Sequence, residues 1–160
     1  MHKGTWKNFE RTVATFFGGK RTPLSGMSNA IQKGDVIHPD FFIEAKMRND
    51  KNVGFVRIWN AYKEQKKAFP EKTIIIKIAN ILLFEYKDFE GYLEGKRNIK
   101  SVALKSKPIQ ALYEKTTREA ENENRLPIIA LKVMSRKGWL IGIERKNIEK
   151  VKKWLQQHKG

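Results

Sequence analysis

The chain has 160 residues, 40% of them apolar, which is enough for one sizeable core and for a single compact domain over 1–160. Its 33 Lys and Arg outnumber 17 Asp and Glu, leaving a formal net charge of +16 spread along the whole length, so polyanions are the expected partners. Cysteine is absent, which excludes disulfides, thiolate-bound zinc and iron–sulfur clusters. An intracellular, cytoplasmic protein is expected, with no membrane partner: the one long apolar run, Ile74 to Phe84, is broken by Lys77 and Asn80 and is too short to span a bilayer.

In chain order, Trp6, Phe9, Val13 and Phe16 recur at helical spacing and predict an amphipathic helix over Thr5 to Phe17, ended by Gly18 and Gly19. Lys20 to Lys33 is rich in Gly, Ser, Asn and Pro and reads as a loop. Asp35 to Ile37 and Phe41 to Lys46 are extended segments either side of His38-Pro39-Asp40, the pattern of a hairpin. Arg57 to Ala68 is helix-like and stops before Pro70. Thr73 to Ile78 and Ile81 to Tyr86 read as strands joined at Ala79 and Asn80. Ile109 to Asn122 is again helix-like, Leu126 to Val133 and Trp139 to Ile143 are strands, and Ile148, Val151, Trp154 and Leu155 form the apolar stripe of a basic final helix. The order of helix, strand pair and amphipathic piece thus occurs twice, in 57 to 94 and in 109 to 157, without a repeat at the level of residues.

Chemistry concentrates in residues 34 to 46. With period two, Phe42, Glu44 and Lys46 share one face of a strand and Phe41, Ile43 and Ala45 the other, so a Glu and a Lys are placed where desolvation is costly unless they are paired or bind a metal. An antiparallel turn returns the carboxylate of Asp35 toward Glu44. Two converging carboxylates suit Mg²⁺ or Mn²⁺, which accept a few protein oxygens and keep waters for a phosphate. Lys46 can then orient the attacking water, stabilise developing charge or act as a base, and these roles stay open. The competing account is a salt-bridged pair on a solvated sheet face. Glu10, at the edge of the first helix's apolar stripe, either adds a metal contact or pairs with Arg11 or Lys7. The loop Gly19-Lys20-Arg21-Thr22-Pro23-Leu24-Ser25-Gly26 offers the cations, hydroxyls and open backbone that phosphate contacts use.

These residues together resemble the PD-(D/E)XK nucleases of the archaeal and phage Holliday junction resolvase kind. The resemblance runs from Glu10 through the Gly-Gly-Lys-Arg-Thr-Pro-Leu-Ser-Gly loop and Gly34-Asp35 to Ile43-Glu44-Ala45-Lys46-Met47-Arg48, and resumes less specifically at Leu126 to Leu131. It implies a restriction-endonuclease-like α/β fold, a mixed and mainly antiparallel sheet flanked by helices, and a Mg²⁺-dependent endonuclease acting on DNA, four-way junctions included, as a homodimer. By resemblance Asp35, Glu44 and Glu10 hold the metal, Lys46 assists the water, and Lys20, Arg21, Ser25 and Arg48 meet DNA. Two features depart from the family. The literal Pro-Asp pair is Pro39-Asp40, only four positions before Glu44, which makes Asp40 a second candidate behind Asp35. The stretch from about 50 to 106 is longer than the usual passage to the next core helix and reads as an inserted segment of a helix and two strands.

Among other residues, His38 reads as a turn residue before a ligand, and Trp6, Trp139 and Trp154 as core before base-stacking platforms, with Trp59 undecided. Tyr62 and Gln65 are spaced to reach the strand charges or to lie on ordinary helix surface. Other nucleases of the same chemistry and a noncatalytic basic DNA-binding module are the rival functions.

Overall fold

Helix α1 (Lys3–Phe17) buries Phe9, Val13, Ala14 and Phe17, with Trp6 and Phe16 packed against the same cluster, as the expected stripe requires. A left-handed Gly18 (φ 74°) ends it, and the N–H groups of Gly18 and Gly19 return to the carbonyls of Thr15 and Ala14. The computed structural model describes residues 3–21 and 34–158. Lys20 and Arg21, expected in a loop, instead form a short strand β1 (Lys20–Arg21). It pairs antiparallel with β2 (Val36–Ile37), which in turn pairs antiparallel with β3 (Phe41–Arg48). At the turn between β2 and β3, buried His38 accepts the N–H groups of Asp40 and Phe41 at Nδ1 and stacks on the Phe41 ring. Buried Arg125 donates to the carbonyls of His38 and Phe41 and lies over the Phe42 ring, so the turn is clamped from outside the hairpin.

Helix α2 (Val53–Ala68) begins a turn earlier than the sequence pattern suggests, because Asn52 caps it by accepting the Phe55 N–H. Strands β4 (Thr73–Ile78) and β5 (Ile81–Glu85) form the expected hairpin, turned at Ala79 in the left-handed region (φ 54°). Tyr86, expected to close β5, opens α3 (Tyr86–Leu93) instead, since the Glu85 carboxylate accepts the Lys87 N–H and caps the helix. A strand not foreseen, β6 (Ile99–Ala103), follows. Ser106 then caps α4 (Lys107–Asn122), which leads into β7 (Leu126–Val133), β8 (Leu140–Glu144), a 3-10 turn at Arg145–Asn147 and α5 (Ile148–His158).

All eight strands share one mixed sheet in the order β1-β2-β3-β7-β8-β5-β4-β6, with parallel pairing only at β3–β7 and β4–β6. The fold is α/β, and the residues around 50–106 extend this sheet with three strands and two helices, more than the helix and two strands expected. On one face, Phe41, Ile43, Ala45 and Met47 of β3 join α1, α3 and α5; on the other, Ile129, Leu83 and Ile76 join Ile58 and Tyr62 of α2 and Ile109 and Tyr113 of α4. The architectural echo is real in space: α2–β4–β5–α3 and α4–β7–β8–α5 meet where β5 and β8 run antiparallel, and corresponding helices lie on corresponding faces. Register lines up one row across six strands, Glu44, Ile129, Gly142, Leu83, Ile76 and Val102, so the first and last residues of the row face the same side. Among the described residues no helix is long and apolar enough to cross a membrane.

Candidate active site

Asp35 lies just ahead of β2, and the hairpin fixes it twice. Its N–H donates to the Ile43 carbonyl (3.0 Å), and its Oδ2 accepts the Ala45 N–H (2.8 Å). The carboxyl therefore rests against β3 at the Glu44–Ala45 peptide, which is the convergence that the hairpin reading requires. Glu44 is half-buried on that strand. Burial, followed by the charge and a carboxyl–carboxyl hydrogen bond of Asp35, pushes its pKa from 4.5 up to about 8, against the lowering effect of Lys46. Lys46 Nζ stands 3.8 Å from Glu44 Oε2, an ion pair looser than a hydrogen bond, with a third of its side chain open to solvent. The Lys46 ammonium thus lies beside the Glu44 carboxyl without a close hydrogen bond to it.

Glu10 reaches the same place from α1. Its side chain is fully buried, and its partner is neither Arg11 nor Lys7 but Arg21, whose Nε donates to Oε1 at 2.7 Å. Glu10 Oε2 is buried and receives no N–H donor. Burial raises the Glu10 pKa to about 7; the Arg21 hydrogen bond opposes this, and the charge of Asp35 and a carboxyl–carboxyl hydrogen bond with it add to the rise. Asp35 accordingly lies within electrostatic reach of both Glu10 and Glu44. Pairing of Arg21 with Val36 fixes the guanidinium beside α1, a link the sequence alone conceals because it joins a helix to a strand not visible in the residue pattern.

The comparisons with known proteins return nothing here: no family model matches the chain, and no curated protein or solved structure is significantly similar to it. The site has to be read from its own chemistry. Among the described residues no three His, Cys, Asp or Glu side chains already stand in metal-holding geometry. Three features nevertheless fit a hard divalent cation: all donors are carboxylate oxygens, two of the carboxyls are raised by burial and mutual repulsion that a cation relieves, and Glu10 Oε2 is left without an N–H donor.

The other sequence candidates divide. Lys20 is exposed on β1 and Arg48 is exposed at the end of β3, with its guanidinium 5.6 Å from the Phe55 ring centroid. Arg21 is mostly buried and turned to Glu10, so its position is that of a site residue more than of an outward DNA contact. Ser25, with the rest of the loop from Thr22 to Lys33, lies outside the described residues. Asp40 is exposed in the turn and its backbone carbonyl accepts the Leu126 N–H, so Asp35 and not Asp40 joins Glu44. Tyr62 is buried among charges of Asp88 and Glu85, away from the strand pair it was spaced to reach, and Trp59 is core. One residue had no sequence signal: half-buried Glu119 of α4 adds negative potential at Glu44 from 75 positions along the chain.

Proposed function

We propose that the chain is a metal-dependent endonuclease of the PD-(D/E)XK kind that hydrolyses DNA phosphodiesters, with branched DNA such as four-way junctions as its substrate. The observation that carries this reading is the Asp35 carboxyl fixed on the Ala45 N–H, within electrostatic reach of Glu10 and Glu44, with the Lys46 ammonium 3.8 Å from Glu44. Its +16 charge, in a chain whose site is acidic, supplies the attraction for a polyanion.

Asp35, Glu44 and Glu10 would hold Mg²⁺ or Mn²⁺, which when bound acidifies water and polarises the phosphoryl oxygen. Asp35 is kept in orientation by the Ala45 N–H, and Glu10 by Arg21, so both carboxyls are aimed before substrate arrives. Lys46, 3.8 Å from Glu44 and with a third of its side chain open to solvent, is placed to stabilise charge on the transferring phosphoryl group, to orient the water or to act as a base. The restriction-endonuclease-like core would comprise α1, β1–β3, α4 and β7, since β7 is the parallel neighbour of β3. Residues from about 50 to 106 would then be an insertion that builds onto the far side of β8. Symmetric cutting of a four-way junction needs two such sites, hence a homodimer.

The test is cleavage of junction, flap, single-stranded and linear duplex DNA with Mg²⁺ or Mn²⁺, and with EDTA. Junctions are expected to be cut fastest, EDTA to stop the reaction, and Glu44→Ala and Lys46→Ala to abolish cutting while DNA binding persists. If no DNA is cut with either metal, the chain is a noncatalytic binding module. Equal cutting of every duplex would instead point to a restriction, nicking or repair nuclease.

A further inference from the structure

The edge of the sheet opposite the site carries charge that the site does not use. Strand β6 is the last in the order and, among the described residues, pairs only with β4. From Gly95 to Tyr113 the sequence has five cations, Lys96, Arg97, Lys100, Lys105 and Lys107, and no Asp or Glu. None of the five is in an ion pair among the described residues, a condition they share with most of the chain's cations; what sets this run apart is that no carboxylate is interspersed in it. Lys96 and Arg97 lie by Gly91 and Tyr92 of α3 and Lys100 by Phe69 on the Val102 side; a run of cations with no interspersed carboxylate favours an external anion or solvent.

Several contacts hold this edge in shape. Lys100 and Lys72 stand 5.1 and 5.0 Å from the Phe69 ring centroid, and the Arg97 guanidinium lies 4.3 Å from that of Tyr92. The Arg57 guanidinium donates to the Lys105 carbonyl and ties the β6–α4 connection to α2. A row of strand partners runs from Glu44 to Val102, and Lys100, two residues before Val102, faces the same side of the sheet. Five strand spacings separate β3 from β6, about 24 Å, or roughly seven base pairs of duplex.

What would bind there follows from what the edge lacks. A protein partner needs an apolar centre to its interface, and Val53 is the only exposed large hydrophobic side chain among the described residues. A nucleic-acid backbone needs none.

We propose that the β6 edge, with Lys100, Lys105 and Lys107 at its centre, is a second nucleic-acid contact surface that grips the phosphodiester backbone of a substrate arm about seven base pairs from Glu44. This rests on the nucleic-acid reading above but not on catalysis. The added strands then extend the reach of the molecule along the arm, as well as thickening its core.

The test uses the whole chain in EDTA, so that nothing is cut, and fluorescence anisotropy of a 30-base-pair duplex from about 50 to 200 mM salt, the range over which counterion release is read. The variant is Lys100→Gln with Lys105→Gln and Lys107→Gln; glutamine keeps the open edge polar. The slope of log affinity against log salt should become shallower by about 2–3, with affinity at 100 mM salt lowered about 10- to 100-fold. Lys150→Gln with Lys152→Gln and Lys153→Gln removes the same charge from α5 and should change the slope by less than half as much. Equal changes in both variants, or an unchanged slope in the first, overturn the proposal. If the triple variant unfolds, Lys105→Gln with Lys107→Gln is expected to lower the slope by about 1–2, and no change there overturns it equally. Cleavage measured separately with Mg²⁺ distinguishes the two readings: an inert chain whose edge variant still loses its salt slope refutes the nuclease alone.

Discussion

Removing the charge of Glu44 should make the metal-free protein more stable at alkaline pH, because the folded state holds that carboxyl at a pKa of about 8 against an ordinary 4.5. A carboxyl with a raised folded-state pKa favours the fold fully below pH 4.5, and that contribution is lost as pH rises toward 8, since the unfolded chain ionises first. At about 1.4 kcal/mol for each tenfold change in proton affinity, the step from 4.5 to about 8 is worth on the order of 5 kcal/mol. Glu44 keeps 16% of its side chain open to water, which screens part of this, so we expect Glu44→Gln to recover about 2–4 kcal/mol at pH 8.5. For a chain of this size that is about 5–10 °C in the thermal midpoint. Wild type and Glu44→Gln should therefore melt together below about pH 4.5, diverge as pH rises from 4.5 to about 8, and stay apart above it in EDTA, followed by circular dichroism. Addition of Mg²⁺ at pH 8.5 should restore the wild type and leave the variant unmoved. Parallel pH curves for the two proteins would refute the claim that Glu44 is buried against another carboxyl.

Arg21→Ala leaves the buried Glu10 carboxyl without its donor, and should lower Mg²⁺-supported cutting about 10- to 100-fold at pH 7 with Arg21→Lys partly restoring it. An unchanged cutting rate together with a shallower salt slope for DNA binding would return Arg21 to the role of a simple phosphate contact. Tyr113→Phe should destabilise the fold by about 1–3 kcal/mol in urea titration, because the hydroxyl donates to the Pro127 carbonyl and accepts the Glu144 N–H, joining α4 to β7 and β8. Gly142→Ala should cost about 1–3 kcal/mol, since the added Cβ would stand 2.6 Å from Ile129 Cγ1 and 2.7 Å from Leu83 Cδ2 in the middle of the sheet; an unchanged urea midpoint would show that the row from Glu44 to Val102 is not closely packed.

Local chemistry made much of this chain legible. The stripe of α1, the Gly18 stop, the hairpin around His38 and the strand Leu126–Val133 are each encoded within a dozen residues, by side-chain period, capping and turn residues. The same holds for the return of the Asp35 carboxyl to the Ala45 N–H next to Glu44, because one short turn separates the two segments. Trp59 was beyond such reasoning: a helix pattern with apolar residues on more than one side leaves open which side meets the sheet, and here Trp59 packs with Tyr62 against the strands.

From its sequence the protein was bound to be basic, without disulfides, α/β, and to carry two carboxylates and a lysine within one hairpin segment. Only the folded arrangement decided which groups attend them. Arg21 meets Glu10, and Glu119 bears on Glu44, because pairing of strands and packing of helices are contacts between distant segments that no local period records. The same long-range pairing set β6 against β4, leaving its unpaired cations at the far edge of the sheet from the carboxylates.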